Sequence, residues 1–334
     1  MSAGVTVFGL ALHSALSRRF VLAMTALSVA LSAFLLLSIE RLRADTEASF
    51  AQAVSGTDLI VGPRTGALQL LLYSVFRVGQ PSNNISLDSL QVLSQHRAVA
   101  WVVPLSLGDS HRGHPVVATV PAYFVHFRHG QQQPLVMAAG RPFDGVHDAV
   151  LGSEVARRLG YGVGSSLVLS HGDGALEDND HAAHPFQVIG VLAPTGTPVD
   201  RSIHISLEAM DALHDGAEWD GGPSVDLQAL GLKRRTEVTA ALVGLKSRTA
   251  VFSVQQAVAR YRGEPLMAVI PGVVLDEMWQ VLGAGERTLQ AVSVMVAAVS
   301  LLGLVAVVLA GLESRRRELA VLRAVGAGPR HVWT

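Results

Sequence analysis

Histidines are the residues whose type and spacing could support chemistry in this chain. Eleven of the 13 histidines lie between residues 44 and 286, and six of them form H-x-x-H pairs. Side chains at positions i and i+3 of a helix or turn face the same way, and imidazole is the commonest metal ligand. Histidine-rich stretches also produce such pairs by chance, so we predict no resident metal. If zinc binds, the candidate ligands are His111, His114, His126, His129, His181 and His184.

Several classes of catalytic site are excluded by composition. The chain has no cysteine, which rules out disulfides and thiol nucleophiles. Its two lysines, Lys233 and Lys246, do not follow glycine, so it has no P-loop for ATP. It has neither a G-x-S-x-G string nor an H-E-x-x-H string. We therefore predict no catalytic residue and no cofactor on this chain, and its net charge of −1 argues against nucleic-acid binding.

Two long apolar runs flank the stretch that contains most of the histidines. Residues 20–39 and 288–312 carry no charge, and each run is long enough to cross a bilayer as a helix. The first run exceeds the 7–15 apolar residues of a signal peptide and starts at residue 20, so we predict a retained span. Arginines at positions 18 and 19, and five more after residue 312, place both termini in the cytoplasm.

This reading divides the chain into five segments. Residues 1–19 form a cytoplasmic amphipathic segment, 20–43 and 287–312 two transmembrane helices, 44–286 an extracytoplasmic domain, and 313–334 the start of a cytoplasmic loop with a helix. Alternating short apolar runs and helical patches predict an α+β fold for residues 44–286. We expect strands at 58–61, 98–105, 115–120, 166–170, 186–192 and 225–230, and helices at 87–95, 154–159, 207–214 and 237–247.

Individual residues in this domain have predicted structural roles. Ser153 and Ser206 are typical helix N-caps, and Gly160 is a typical helix stop. Gly140 and Gly152 are predicted to serve turns or close backbone approach. Arg141 and Glu154 form a candidate ion pair, which we expect to be structural and not catalytic.

The segment after the second apolar run carries the most specific motif. Residues 315–327 read R-R-R-E-L-A-V-L-R-A-V-G-A, whose apolar positions describe one face of a basic helix. This string resembles the cytoplasmic signature of MacB/FtsX-type ABC transporter permeases, the family of the lipoprotein-releasing and macrolide-efflux permeases. Strings at 56–62, 139–143, 149–160 and 186–192 are similar, in the same order, to the MacB-like periplasmic core domain of that family.

The resemblance implies a function and partners. The chain would be a multi-pass permease of the bacterial inner membrane that couples ATP hydrolysis by a separate P-loop ATPase to movement of its extracytoplasmic domain. It would pair with a second copy or a paralogue, and with a periplasmic adaptor or lipoprotein. ATPase contact would come from Arg316, Glu318, Leu319, Leu322, Arg323 and Gly326. Relatives have four transmembrane helices, so the resemblance also suggests truncation after the second.

Two alternatives from other classes stay open at this point. One is a membrane-anchored extracytoplasmic sensor or scaffold without transport, with the histidine pairs as a metal site. The other is an extracytoplasmic enzyme held by two spans. A sensor calls for a signalling domain after residue 312, and an enzyme calls for a convergent polar site.

Overall fold

The computed structural model describes residues 19–53, 56–79, 81, 83–171, 185–214, 237–314, 320 and 324. They divide into two compact units. One comprises residues 46–279, and the other comprises the chain up to residue 45 and from residue 280 onwards. The predicted strand at 225–230, the polar stretch 172–184 and the amphipathic segment before Arg19 lie outside the described residues.

The helices are α1 Arg19–Ala53, α2 Ala67–Leu71, α3 Leu87–Ser94, α4 Ala122–His126, α5 Ser153–Leu159, α6 Leu207–His214, α7 Val251–Ala259 and α8 Pro271–Ser314. The strands are β1 Leu59–Pro63, β2 Ile85–Ser86, β3 Val99–His111, β4 His114–Thr119, β5 Arg128–His129, β6 Gln133–Pro134, β7 Met137–Gly140, β8 Asp148–Leu151, β9 Ser166–Leu167, β10 Ser170–His171, β11 Phe186–Leu192, β12 Ile203–Ser206, β13 Glu237–Val238, β14 Ala240–Leu245 and β15 Leu266–Val269. A π-helical turn, Leu72–Phe76, follows α2 directly.

The smaller unit contains α1 up to residue 45 and α8 from residue 280, which contact each other through polar side chains. The Oγ atoms of Ser28 and Ser300 lie 3.1 Å apart, and the Gln290 side-chain amide donates to the Glu40 carboxylate at 3.3 Å. Both long helices coincide with the apolar runs of the sequence. Judged on the described residues alone, no helix is long and apolar enough to cross a membrane.

The larger unit is built on one mixed sheet. Its described strands run in the order β15-β1-β14-β3-β4-β12-β8-β11-β7. The long β3 pairs antiparallel with β14 on one side and β4 on the other, whereas β4 pairs parallel with β12 and β8 parallel with β11. The result is the α+β architecture expected from the sequence.

Both faces of this sheet are covered. On β1, Leu59 and Val61 pack into one hydrophobic cluster, and Ile60 packs into the cluster on the other face. All five β1 residues are buried. A strand buried on both sides reads as a continuous apolar run instead of an alternating one, which explains why β1 was visible in the sequence.

One predicted element is wrong. Residues 237–247 were expected to be helical, but they form β13 and β14. Strand β14 lies between β1 and β3, and five of its six residues are buried. Its alanines and leucines favour a helix locally, and burial on both sheet faces overrides that preference.

Two of the three predicted helix-end residues are confirmed, and one is wrong. The Ser206 hydroxyl accepts from the Ala209 amide at 3.1 Å, which confirms it as the cap of α6. Gly160 ends α5 in the left-handed conformation, as expected. The cap at Ser153 is wrong, because Gly152 occupies that position and Ser153 is already helical.

The predicted close approaches at two glycines are confirmed. A Cβ on Gly140, whose φ is +71°, would lie 2.0 Å from the Ile189 carbonyl oxygen. A Cβ on Gly152 would lie 2.2 Å from the Val199 carbonyl oxygen. Neither position has room for a larger residue.

Candidate functional site

A groove of about 600 Å³ lies in the larger unit. The π-helical turn, the β3–β4 turn, α5 and the loop before β12 bound it. Its polar lining contains three arginines and two carboxylates: Arg77, Arg158, Arg201, Glu154 and Asp200. Pockets of this size are typical of small-molecule sites.

Glu154 holds two of the groove's arginines. Its carboxylate accepts from Arg201 Nε at 2.8 Å and pairs with Arg158 one helical turn later. The hydrogen bond from Arg201 is the main reason that the pKa of Glu154 is lowered. The predicted pair between Arg141 and Glu154 is wrong, because Arg141 pairs with Asp148 at 3.7 Å.

The Asp200 carboxylate is held in place by hydrogen bonds from a local turn. Its carboxylate accepts from the Thr195 amide at 2.9 Å, the Gly196 amide at 2.8 Å and the Thr195 hydroxyl at 2.9 Å. The carboxylate is therefore fully engaged in shaping the loop that lines the groove.

Arg77 is the unusual residue of the site. It follows the π-helical turn and adopts a left-handed conformation with φ of 59°. One terminal nitrogen donates to the Ser74 carbonyl oxygen. Its Nε is buried without a hydrogen-bond partner, and no carboxylate of the described residues pairs with it. Burial lowers the pKa of the guanidinium.

Tyr123 faces Arg77 and lies 5.3 Å from His204 between ring centroids, and Tyr73 is another buried polar residue of this unit. The Tyr123 hydroxyl faces the Arg77 guanidinium, that of Tyr73 faces Thr65, and the His204 ring faces the Val150 backbone, but none of these contacts in the described chain has standard hydrogen-bond geometry. Burial raises the pKa of Tyr123 to about 12, and the facing Arg77 charge opposes that shift. Burial, with the same charge nearby, lowers the pKa of His204 to about 3.

A second cavity also borders Arg77. It measures about 160 Å³, and Tyr73 and Arg77 both line it, along with residues of the β3–β4 turn. Buried polar atoms without partners call for a water or a ligand. Arg77 therefore stands between a polar cavity and the larger groove.

Apolar side chains also line the groove. Phe50 near the end of α1, Phe76 of the π-helical turn and Val78 line it. The rings of Phe50 and Phe76 lie 4.4 Å apart, and Trp279 near the start of α8 meets the Phe50 ring edge-on at 5.7 Å. We call Phe50, Phe76 and Trp279 the aromatic cluster.

The described histidine pairs are engaged in other contacts. His111 and His114 face each other across the β3–β4 turn. The His111 ring contacts the Val168 carbonyl oxygen at 2.6 Å and the Tyr161 hydroxyl at 3.2 Å, and His114 Nδ1 lies 3.3 Å from the Arg201 carbonyl oxygen. His126 stacks on Trp101 with ring centroids 5.0 Å apart. His129 lies on the short β5.

No three histidine, aspartate or glutamate side chains converge on a metal site within the described ranges. His181 and His184 fall outside those ranges, as do the six predicted ATPase contacts, Arg316, Glu318, Leu319, Leu322, Arg323 and Gly326. The assignments of these residues stay predictions.

Sequence reasoning missed Arg77, Arg201 and His204. Isolated arginines and a histidine inside an apolar strand carry no spacing signal. The string T-G-T-P-V-D at residues 195–200 was a usable signal, because Thr197 accepts from the Val199 amide as the N-cap of a short helix that begins with Pro198. That string marks the turn which brings Arg201 to Glu154.

Comparison with known proteins gives two family matches along the chain. Residues 22–261 match the MacB-like periplasmic core domain family. Residues 291–334 match the FtsX-like permease C-terminal family. No protein of curated function matches the chain in sequence.

Two solved structures are similar to it. The periplasmic region of MacB from Actinobacillus actinomycetemcomitans has a TM-score of 0.41 at 12% identity, over 69% of this chain and 97% of that one. The extracellular domain of the noncanonic ABC-type transporter YknZ from Gram-positive bacteria has a TM-score of 0.36 at 12% identity, over 63% and 98%.

Proposed function

Because this chain belongs to the MacB/FtsX-type permease family of ABC transporters, we propose that it is the permease subunit that couples a separate ATPase to movement of an extracytoplasmic domain. The observation that carries this proposal is the order of the two matches, with a periplasmic core domain at residues 22–261 followed by a permease segment at 291–334. A sensor, a scaffold or an enzyme does not require that order.

We place α1 and α8 in the bacterial inner membrane, with both termini in the cytoplasm. The uncharged runs at residues 20–39 and 288–312 and the flanking arginines support this topology. Large apolar side chains on both helices are exposed, including Phe34, Leu37 and Leu302 at 68–72%. Contiguous apolar surface of this kind suits lipid or a second copy of a permease.

We assign ATP hydrolysis to a partner subunit. The chain lacks a P-loop, and the basic helix predicted after residue 314 supplies an apolar face for docking. Leu319 and Leu322 would contact the ATPase, with Arg316 and Arg323 at the edge. A second copy or a paralogue would complete the transporter.

Geometry in the larger unit supports mechanical coupling. Within that unit the aromatic cluster joins the end of α1, the start of α8 and the π-helical turn. Rigid aromatic contacts can pass a displacement of either helix to the sheet, because packed interfaces resist continuous deformation.

Co-purification of the full permease with its ATPase tests the proposal. We expect Leu322→Asp to reduce ATPase recovery about tenfold or more, because an unpaired carboxylate at an apolar contact is strongly unfavourable. Thr334→Asp introduces the same carboxylate away from that face and should recover ATPase like the wild type. Equal recovery with both variants would show that this helix does not dock an ATPase.

A further inference from the structure

We propose that the groove beside Arg77 binds a small amphipathic oxyanion, with its phosphate or carboxylate on Arg77 and its apolar body on Phe50, Phe76 and Val78. This goes beyond the proposed function, because the binding requires neither the ATPase nor transport. The occupant is a free small molecule of this chemistry.

The charges of the groove favour an anion. Of the three arginines that line it, Arg158 and Arg201 share Glu154, while Asp200 is occupied by amide and hydroxyl donors. Arg77 alone has no carboxylate partner among the described residues. A partly buried guanidinium without a counter-ion is unfavourable, and an oxyanion in the groove would relieve that cost through charge-assisted hydrogen bonds.

The backbone conformation at Arg77 also supports a ligand site. Its φ of 59° is uncommon for a residue other than glycine, and it follows a π-helical turn, a feature that is frequent at functional sites. Such a conformation persists only where the surrounding structure enforces it. Here it sets the arginine between the 160 Å³ polar cavity and the groove.

An apolar part of the groove lining defines the rest of the ligand. Phe50, Phe76 and Val78 line the groove, and Val78 is 58% exposed. Inorganic phosphate alone would leave these side chains in water, whereas a short alkyl chain would cover them. The combination of a cationic part and an apolar part selects an amphipathic anion over a simple ion.

Titration of the full chain in nanodiscs of neutral lipid tests this inference, with empty nanodiscs as the baseline. The probes are hexyl phosphate, inorganic phosphate and hexanol. We expect hexyl phosphate to bind about tenfold or more tightly than either of the others, since only it contacts both the arginine and the apolar side chains. Comparable binding of hexyl phosphate and hexanol would overturn the proposal whether or not any variant folds.

Two variants assign the anion contact. Arg77→Met keeps the length of the side chain and removes the charge, so it should weaken hexyl phosphate binding about tenfold or more. Arg141→Met removes an exposed arginine that is paired with Asp148 and does not line the groove, and we expect less than about a threefold change. Unchanged binding by Arg77→Met would contradict the assignment.

A further experiment distinguishes a free ligand from a lipid headgroup. Nanodiscs containing anionic phosphatidylglycerol should leave hexyl phosphate binding unchanged if the occupant is a free molecule. Displacement of hexyl phosphate by that lipid would overturn the choice of occupant. Since the ATPase is absent from all arms, failure here would leave the co-purification test of the permease function unaffected.

Discussion

His204 is a titratable residue held inside the sheet. It lies on β12 with no exposed surface, and its ring lies 5.3 Å from Tyr123 and 6.0 Å from Phe124, centroid to centroid. Burial, helped by the Arg77 charge, lowers its pKa from 6.5 to about 3. The folded protein therefore keeps this ring neutral where the unfolded chain would protonate it.

This difference in pKa between the folded and unfolded states makes the stability of the protein depend on pH. Below about pH 6.5 the unfolded state binds a proton that the folded state refuses, so stability is complete above that pH and falls as pH drops towards 3. Between pH 6 and 4.5 this group should remove about 2 kcal/mol from the free energy of unfolding, at about 1.4 kcal/mol per pH unit.

We expect His204→Phe to remove this part of the acid sensitivity. Denaturant titrations of the full chain in detergent, followed by tryptophan fluorescence at several pH values, would measure it. His126→Phe replaces a partly exposed ring that stacks on Trp101 and should keep the wild-type slope. A His204→Phe protein with the wild-type slope would show that the ring is hydrated in the folded state.

At the scale of elements, Gly152 permits α5 to pack closely on the loop before β12. Its amide donates to the Ser202 carbonyl at 2.9 Å, and the backbone of Val199 and Asp200 crosses directly over its Cα. This contact places Glu154, two residues later, within reach of Arg201. A small residue therefore determines the geometry of an ion pair in the groove.

Gly152→Ala should destabilise the domain by about 2–4 kcal/mol, since backbone atoms cannot yield to a Cβ as a side chain does. Gly162→Ala is the matched control, because nothing lies within 4 Å of its Cβ position. We expect the control to stay within about 0.5 kcal/mol of the wild type. Denaturation midpoints compare the two, and equal midpoints would mean that the loop moves freely away from α5.

How well a strand or helix could be predicted from the sequence depended on the pattern of buried and exposed residues along it. Strand β11, Phe186–Leu192, was predicted with its observed bounds, because buried and less buried residues alternate along it. Strand β14 was mistaken for a helix, because its buried alanines and leucines show no alternation. The π-helical turn was not predicted, and its last residue, Phe76, contacts Phe50 on another helix.

The candidate site shows the same limit. Arg158 and Glu154 lie one turn apart on a predicted helix, so their pairing is local. Arg201 and Arg77 reach the groove only through the folding of the sheet, and no spacing in the chain relates them. The histidine pairs had spacing but no shared site within the described residues, because β-pairing and ring stacking engaged them separately.

For the molecule as a whole, the end of α1 and the start of α8 both belong to the larger unit and meet in the aromatic cluster. Phe50 and Trp279 are 229 positions apart in sequence and touch edge-to-face in that unit. In a permease whose ATPase moves the helices, this cluster is one contact through which both helices can act together on the sheet. Its loss should impair coupling without affecting ATPase docking.

Trp279→Ala tests this coupling. An aromatic pair contributes about 1 kcal/mol beyond its buried area, and a coupling free energy of that size changes an equilibrium about fivefold. The chain has no cysteine, so a fluorophore on Gly162→Cys reports from one position on the larger unit. We expect the ATP-driven signal of the assembled transporter to fall about fivefold in Trp279→Ala, with ATPase recovery unchanged.

The control for this measurement is Phe252→Ala, which removes an aromatic ring that is 76% exposed on α7, away from the cluster. It should keep the full ATP-driven signal. A full signal in Trp279→Ala as well would show that the helices act on the sheet through other contacts. If the signal and ATPase recovery fell together, the tryptophan would be needed for assembly. Only a reduced signal with intact assembly supports the aromatic cluster as the joint between ATP-driven helices and the extracytoplasmic sheet.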